Sequence, residues 1–289
     1  MRVLIGLFIV VSSIILGYTG NGGHLYAIWQ PFELLIILGT AVGAFIVANP
    51  PSLVWGMGKT LKHIFAGNKI GKPEYMELLC LLFMVFKVAR AKGLLVLETH
   101  VEQPYTSPLF QKFPKIMANE VCLTFVCDYL RMFSMGSQNV YQMEDIMAEE
   151  IETYEHSEGE AVNALSVMAD ALPALGIVAA VLGVIHTMGA ISQPPEVLGK
   201  FIGCALVGTF AGVLCSYGFV GPMAQSLRCI VNAKIRFLHT AKLGLVAYLH
   251  GNAPLIAIEQ ARKGIEELYR PTFVELEQQL QQLGDMPDA

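Results

Sequence analysis

Charge is what this sequence has least of. Only 15% of its 289 residues are Asp, Glu, Lys or Arg, against 54% hydrophobic residues, and the mean hydropathy is +0.53. A soluble domain carries roughly 25% charged residues, so a membrane protein is the expected class. Enzyme signatures are missing as well. No G-x-x-x-x-G-K-[ST], H-E-x-x-H or G-x-S-x-G occurs, which removes the P-loop, zincin and nucleophile-elbow chemistries. The seven histidines are scattered without metal-ligand spacing. The six cysteines form no C-x-x-C pair, and they read as small apolar filler rather than as disulfide partners. Neither an internal repeat nor a low-complexity run is present, and nothing points to a nucleic-acid partner.

What is there is apolar run. Four such runs, 3–19, 32–49, 171–191 and 201–221, are each close to the roughly 17–25 residues that a spanning helix needs. All 19 Lys and Arg except Arg2 and Lys200 fall within 51–170 and 223–289. The connections 20–31 and 192–199 contain neither residue. Lys and Arg mark cytoplasmic flanks, so both termini and the long 51–170 segment are expected in the cytoplasm. The first run has no clear small-x-small cleavage site and is expected to be a retained anchor. The expected architecture is an all-α integral membrane protein with four transmembrane helices in two hairpins and a helical cytoplasmic domain. Its boundaries are 1–50 for the first hairpin, 51–170 for the cytoplasmic domain, 171–222 for the second hairpin and 223–289 for a cytoplasmic helical tail.

Within the cytoplasmic segments the pattern is helical. Residues 51–71 suit a short helix at the membrane surface. Residues 74–100 read as a helix or helix pair, with Gly93 as the break, and 115–135 as another helix. Met143, Ile146, Met147, Ile151 and Tyr154 fall on one helical face. No stop signal separates that helix from the third span, so one long helix is expected, with Gly159 as a soft point. After Pro271, which suits a first helical position, Phe273, Leu276 and Leu280 give an apolar edge. The last residues, 284–289, are expected to fray.

The spans hold three small-x-x-x-small pairs, Gly39/Gly43, Ala179/Gly183 and Gly208/Gly212, which permit close helix approach and hint at an oligomer. Intramembrane ionisable groups usually mark an ion path, yet none lies mid-span. Glu33, Asp170 and His186 sit toward the ends. The chain therefore either conducts no ions or conducts them with a partner that brings the acid. Thr209, near the middle of the fourth run, is the polar candidate for facing such a path. The commoner fate of a lone membrane threonine is a hydroxyl bonded back to its own helix. Pro173 opens the third span and Pro222 closes the fourth. A proline near a helix start costs little, whereas Pro222 crowds the Gly218 carbonyl and invites a bend. Antiparallel spans would put both prolines at the cytoplasmic face, as punctuation or as a paired hinge.

Four stretches, "MAEEIETYEHSEGEAVNALSVMADALP", "DALPALGIVAAVLGVIHTMGA", "ALVGTFAGVLCSYGFVGPMA" and "RPTFVELE", closely resemble the MotA family, the larger stator subunits of bacterial flagellar motors. The similarity runs from the first span to the tail. It implies a non-enzymatic subunit of the bacterial inner membrane, arranged as five copies around a MotB dimer whose membrane helix carries an essential Asp. Proton flow past that Asp would drive movement against the rotor protein FliG. Protons are the implied coupling ion, and no cofactor or metal is expected. Residue by residue, the resemblance places the family's prolines on Pro173 and Pro222 and its membrane threonine on Thr209. Its rotor-facing charges fall on Arg90 and Glu98, with Glu150 a weaker candidate. Arg90 and Glu98 stand about 80° apart on an ideal helix, hence on one side provided that Gly93 leaves the helix intact. Sodium-driven relatives such as PomA carry threonines where this chain has Ala180 and Gly208, which points to protons and away from sodium. Leu206 replaces a Met common in proton-type members, a swap of nearly equal volume. Two other readings remain at this point: an ExbB/TolQ-like subunit energising a periplasmic partner, and a passive membrane scaffold. ExbB and TolQ have three spans, and the extra N-terminal hairpin and the tail argue against that class.

Overall fold

The computed structural model describes residues 2–67, 70–136, 139–189 and 191–284. Among these residues the regular structure is all helical, with no strand. In order, the α-helices are α1 (Arg2–Gly20), α2 (Leu25–Ile28), α3 (Pro31–Ala48), α4 (Pro51–Ala66), α5 (Lys72–Lys92), α6 (Leu95–Glu102), α7 (Pro114–Met117), α8 (Glu120–Ser134), α9 (Val140–Gly189), α10 (Pro195–Val213), α11 (Gly221–Leu249), α12 (Pro254–Lys263) and α13 (Phe273–Gly284). A π-helical segment, Leu214–Val220, joins α10 to α11. Four stretches are long and apolar enough to cross a membrane: Val3–Gly20, Leu25–Ala48, Val140–Gly189 and Pro195–Leu249. Helices are the form such stretches must take, because hydrocarbon offers no partner for backbone N–H and C=O groups.

The chain divides into two compact units interleaved in sequence. The first holds Met1–Gly67 and Ser157–Val231, and the second Asn68–His156 and Asn232–Ala289. In the first unit, Ile37 and Ala41 of α3 meet Leu172 and Ala179 of α9 and Ala211 of α10 in a small buried cluster. Most other large apolar side chains of these helices face outward, as on Phe8, Leu16, Leu35 and Val47. That is the arrangement a lipid solvent favours and water does not.

The second unit has a buried apolar core of its own. Leu78, Leu82, Val85 and Phe86 of α5 are buried, together with Phe125 and Tyr129 of α8, Phe237 and Leu245 of α11, and Ala257 and Ile258 of α12. Phe86 stacks on Tyr248 with ring centroids 4.3 Å apart, and the Tyr75 ring meets the edge of Phe237 at 5.0 Å. Arg262 is buried but satisfied: it donates to the Glu259 carboxylate at 2.7 Å and to the Pro271 carbonyl at 2.8 Å. Burial of a charge is tolerated only when it is paired and hydrogen-bonded in this way.

Some expectations hold here and others change. Gly93, at φ +86, caps α5, so the 74–100 stretch is a helix pair rather than one rod. Helix α9 does run unbroken from the acidic stretch through Gly159. Met143, Met147 and Ile151 are buried on it, but Ile146 is 38% exposed and leaves that face. The tail helix begins two residues after Pro271. Thr272 caps it, accepting from the Glu275 N–H at 3.2 Å while its own N–H donates to the Glu275 carboxylate at 2.7 Å, a reciprocal capping box. Leu276 and Leu280 are buried as expected, and Phe273 is exposed. Of the 284–289 stretch, Gly284 ends α13, and 285–289 lie outside the described residues.

Candidate functional site

In the first unit, α9 and α10 approach each other backbone to backbone. A methyl group placed on Gly176 would stand 2.9 Å from the Gly212 Cα and 2.9 Å from the Gly208 carbonyl oxygen. One placed on Gly212 would stand 2.7 Å from the Leu172 carbonyl oxygen, and one on Gly183 would stand 2.8 Å from the Ala205 Cβ. The seam therefore consists of Gly176, Ala179 and Gly183 against Ala205, Gly208 and Gly212, both sets at i, i+3, i+7. Small residues at this spacing let two backbones touch. Two of the three small-residue pairs read from the sequence are thus engaged. The third is not: a Cβ on Gly39 or Gly43 would meet nothing within 4 Å. Gly176 and Ala205 also belong to the seam, although Gly176-x-x-x-Ala180 is itself such a pair, because spacing alone does not say which small residues face the neighbouring helix.

The seam also joins Ala180 to Gly208. A Cβ on Gly208 would lie 3.2 Å from both the Ala180 backbone nitrogen and the Ala179 Cβ. There is no room for a threonine side chain at Gly208 unless the two helices part. Thr209, the next residue, is half-buried. Other hydroxyls of this unit bond back to their own helices: Thr40 to the Ile36 carbonyl at 2.6 Å, Thr187 to Gly183 at 2.8 Å and Ser166 to Val162 at 3.0 Å. The Thr209 hydroxyl has no such bond among the described residues, so the commoner fate anticipated for it is not the one it adopts. Between Asp170 and Gly189 on α9, and between Lys200 and Arg228 on the return, no Asp, Glu, Lys or Arg intervenes.

The prolines sit differently from expectation. Pro173 is not near a helix start, because α9 begins at Val140 and carries Pro173 in its interior. It removes the hydrogen bond to the Ala169 carbonyl. Pro222 follows the π segment, in which the Gly221 N–H reaches back five residues to the Ser216 carbonyl. The backbone answers the proline with a wider turn, a common companion of function. The Leu172 carbonyl meets Gly212, and Ala169 lies 4.0 Å from where a Gly221 Cβ would be. Pro173, the residue after Leu172, thus stands near Gly212 at the start of the π segment, while Gly221 lies nearer Ala169, and the two prolines are offset along the helix pair rather than level. The exposed Pro222 lines a cavity of about 320 Å³ with Gly218 and with Val3 and Val10 of α1.

In the second unit, Arg90 closes α5 and Glu98 opens α6. Gly93 separates the two helices, so the one-helix argument for a shared face does not hold. Both residues are exposed and neither forms an ion pair among the described residues. Arg90 lines a cavity of about 340 Å³ with Tyr248, Leu249 and Asn252. Glu150 is held by Tyr129, whose hydroxyl donates to its carboxylate at 2.6 Å. Burial, with that bond, pushes the Tyr129 hydroxyl well above the usual tyrosine range. No trio of His, Cys, Asp or Glu among the described residues is placed to hold a metal ion.

Two family profiles match the chain. "Motility protein A N-terminal" covers residues 4–93, and "MotA/TolQ/ExbB proton channel family" covers 118–240. The chain is 41% identical over 278 residues to Motility protein A of Salmonella typhimurium and, to the same extent, to that of Escherichia coli, in each case over 96% of this chain and 94% of the relative. It is 33% identical over 280 residues to Chemotaxis protein LafT of Vibrio parahaemolyticus, over 97% of this chain and 98% of that one. The fold matches the MotAB structure of C. jejuni with a TM-score of 0.78 at 20% identity, covering 92% of this chain and 96% of that one. It matches the flagellar MotAB stator complex of Bacillus subtilis equally, at 0.78 and 24% identity, over 95% and 100%.

Proposed function

The chain belongs to the motility protein A family, and from that premise we propose that it is a stator subunit of a bacterial flagellar motor, forming a proton path with MotB and driving the rotor. It is a membrane subunit with no catalytic role. Its end-to-end similarity to Motility protein A, over 96% of the chain, carries this reading. The four spans of the fold favour it over a three-span energising subunit of the ExbB or TolQ kind.

Five copies surround a MotB dimer in the inner membrane, both termini are cytoplasmic, and MotB supplies the membrane Asp that the spans of this chain lack. The unpaired Thr209 hydroxyl faces that acid. The tight Ala180–Gly208 contact favours protons, because it leaves no space for the extra hydroxyls that would replace part of sodium's hydration shell. Pro173 and the π segment ahead of Pro222 form the deformable point of the helix pair, since each has already lost ordinary backbone bonds. Arg90 and Glu98 face FliG, and Glu150 orders α8 against α9 through Tyr129.

Expression with a MotB-type partner in a motile cell lacking its own stator tests the assignment. Swimming restored in a way that collapses with the protonmotive force supports it. Torque that follows the sodium gradient would overturn the proton reading, and no torque with correct membrane insertion would overturn the stator reading. Reversing the charges of Arg90 and Glu98 together is expected to weaken swimming under load while leaving the MotB complex intact.

A further inference from the structure

The second unit contains a cationic cavity that the motor reading does not use. It has a volume of about 170 Å³ and lies among the end of α5, α6, the turn before α7 and the end of α13. Lys87, Lys92, Lys112 and His100 line it, and no carboxylate does. Six other basic side chains of this unit find acids. Lys72 meets Glu275, Lys115 meets Glu74, Lys242 meets Glu144, Arg131 meets Asp128, Arg236 meets Glu266 and Arg262 meets Glu259. Lys87, Lys92 and Lys112 form no ion pair among the described residues. Three ammonium groups around one concavity, with no carboxylate in its lining, repel each other.

We propose that this cavity binds a small multivalent phosphate, a diphosphate group either free or at the end of a nucleotide. Lysine serves phosphate as a point charge with rotatable donors, and three of them match an anion of two to three charges better than a single carboxylate. The size agrees. At about 30 Å³ per water, the cavity holds roughly six waters, enough for phosphoryl groups but not for a whole nucleoside. His100 supplies a further ring nitrogen. Its Nδ1 lies 2.9 Å from the Ser107 hydroxyl, which orients the ring, and burial together with Lys92 holds it below the usual histidine range. Val88 and Leu109 give the floor an apolar patch. Lys87 and Lys92 flank Arg90 on α5. If Arg90 faces the rotor as proposed above, a bound anion would lower the positive field beside it.

The test is calorimetric titration of the full chain with its MotB-type partner in neutral-lipid nanodiscs. Inorganic phosphate, pyrophosphate and ATP are the three probes, at near-physiological salt. Saturable binding of pyrophosphate and ATP, tighter than phosphate, is expected. Comparable affinity for both assigns recognition to the diphosphate group, and tighter ATP binding assigns part of it to the third phosphate or the nucleoside. Each of Lys87→Gln, Lys92→Gln and Lys112→Gln should weaken binding about three- to tenfold, and the triple variant should abolish it. Lys115→Gln, outside the cavity, should change nothing. Pyrophosphate should also move the histidine titration read by NMR at His100 to higher pH. Absence of saturable binding by any probe, or full affinity in the triple variant with a native melting curve, would overturn the proposal. The readout is independent of motility, so its failure leaves the stator reading untouched.

Discussion

Gly176 of α9 and Gly212 of α10 meet backbone to backbone. A single methyl on either would lie within 2.9 Å of the other's Cα. Glycine at both sites is therefore a packing requirement, not a conformational one, since neither has a positive φ.

Gly212→Ala should be the most damaging of the conservative glycine changes. Its methyl would lie 2.7 Å from the Leu172 carbonyl and from the Gly176 Cα, and backbone atoms cannot swing aside as a side chain does. Overpacking of this kind costs about 1–3 kcal/mol. A lower melting temperature of the purified complex and lost swimming are expected. Gly39→Ala, which meets nothing within 4 Å, should leave the melting temperature of the isolated chain unchanged.

Thr209→Val keeps the shape and removes the hydroxyl. The hydroxyl makes no bond among the described residues, so stability should hold within about 0.5 kcal/mol, as for substitutions away from such features. Proton flux through the MotB complex should nevertheless fall severalfold, with Thr209→Ser restoring it. Full flux in the valine variant, measured in vesicles with a pH-sensitive dye, would remove Thr209 from the path.

Pro173→Ala restores the N–H that can bond the Ala169 carbonyl. An interior helix proline costs about 3 kcal/mol, so the variant should be more stable. Hydrogen exchange should slow near 169–173. Torque should drop if deformability there is used. A stabilised variant with wild-type torque would reduce Pro173 to punctuation.

The clamp between the two ends of the second unit predicts a pH response. Glu275 accepts from Lys72 at 2.7 Å and from the Thr272 N–H, and these bonds hold its carboxyl down at about 2 against an ordinary 4.5. A depressed carboxyl pKa stabilises the fold above the unfolded value, and that contribution is lost as the group protonates. The stabilisation is thus complete above about pH 4.5 and disappears as pH falls toward about 2. The effect is modest, because the group is exposed. Glu275→Gln should flatten the melting temperature over that interval, with little change in the slope elsewhere.

Much of this was legible in the primary structure because it rests on one-dimensional signals. The four apolar runs, the Gly93 break between α5 and α6 and the unbroken acidic helix leading into the third span were all readable. The Ala179/Gly183 and Gly208/Gly212 pairs pointed at the seam. Other features were hidden for identifiable reasons. Gly176 and Ala205 matter only because they face each other. The π segment before Pro222 has no local signature, since it arises as the backbone accommodates a missing N–H beside a packed neighbour. Ile146 satisfies the helical period but is left exposed on its side.

Composition and spacing alone determined that this is a four-span helical membrane protein whose own spans carry no acid at their centre. Apolar length and the exclusion of charge are properties of the chain itself. Tertiary structure decided which glycines are indispensable, that Pro173 stands near Gly212 and not level with Pro222, and that Thr209 keeps its hydroxyl free. It also decided that Arg90 and Glu98 belong to separate helices, and that three lysines from two elements surround one cavity. Each of these depends on which surfaces meet, and a pairing between distant segments is a property of the packed backbone that no local pattern encodes.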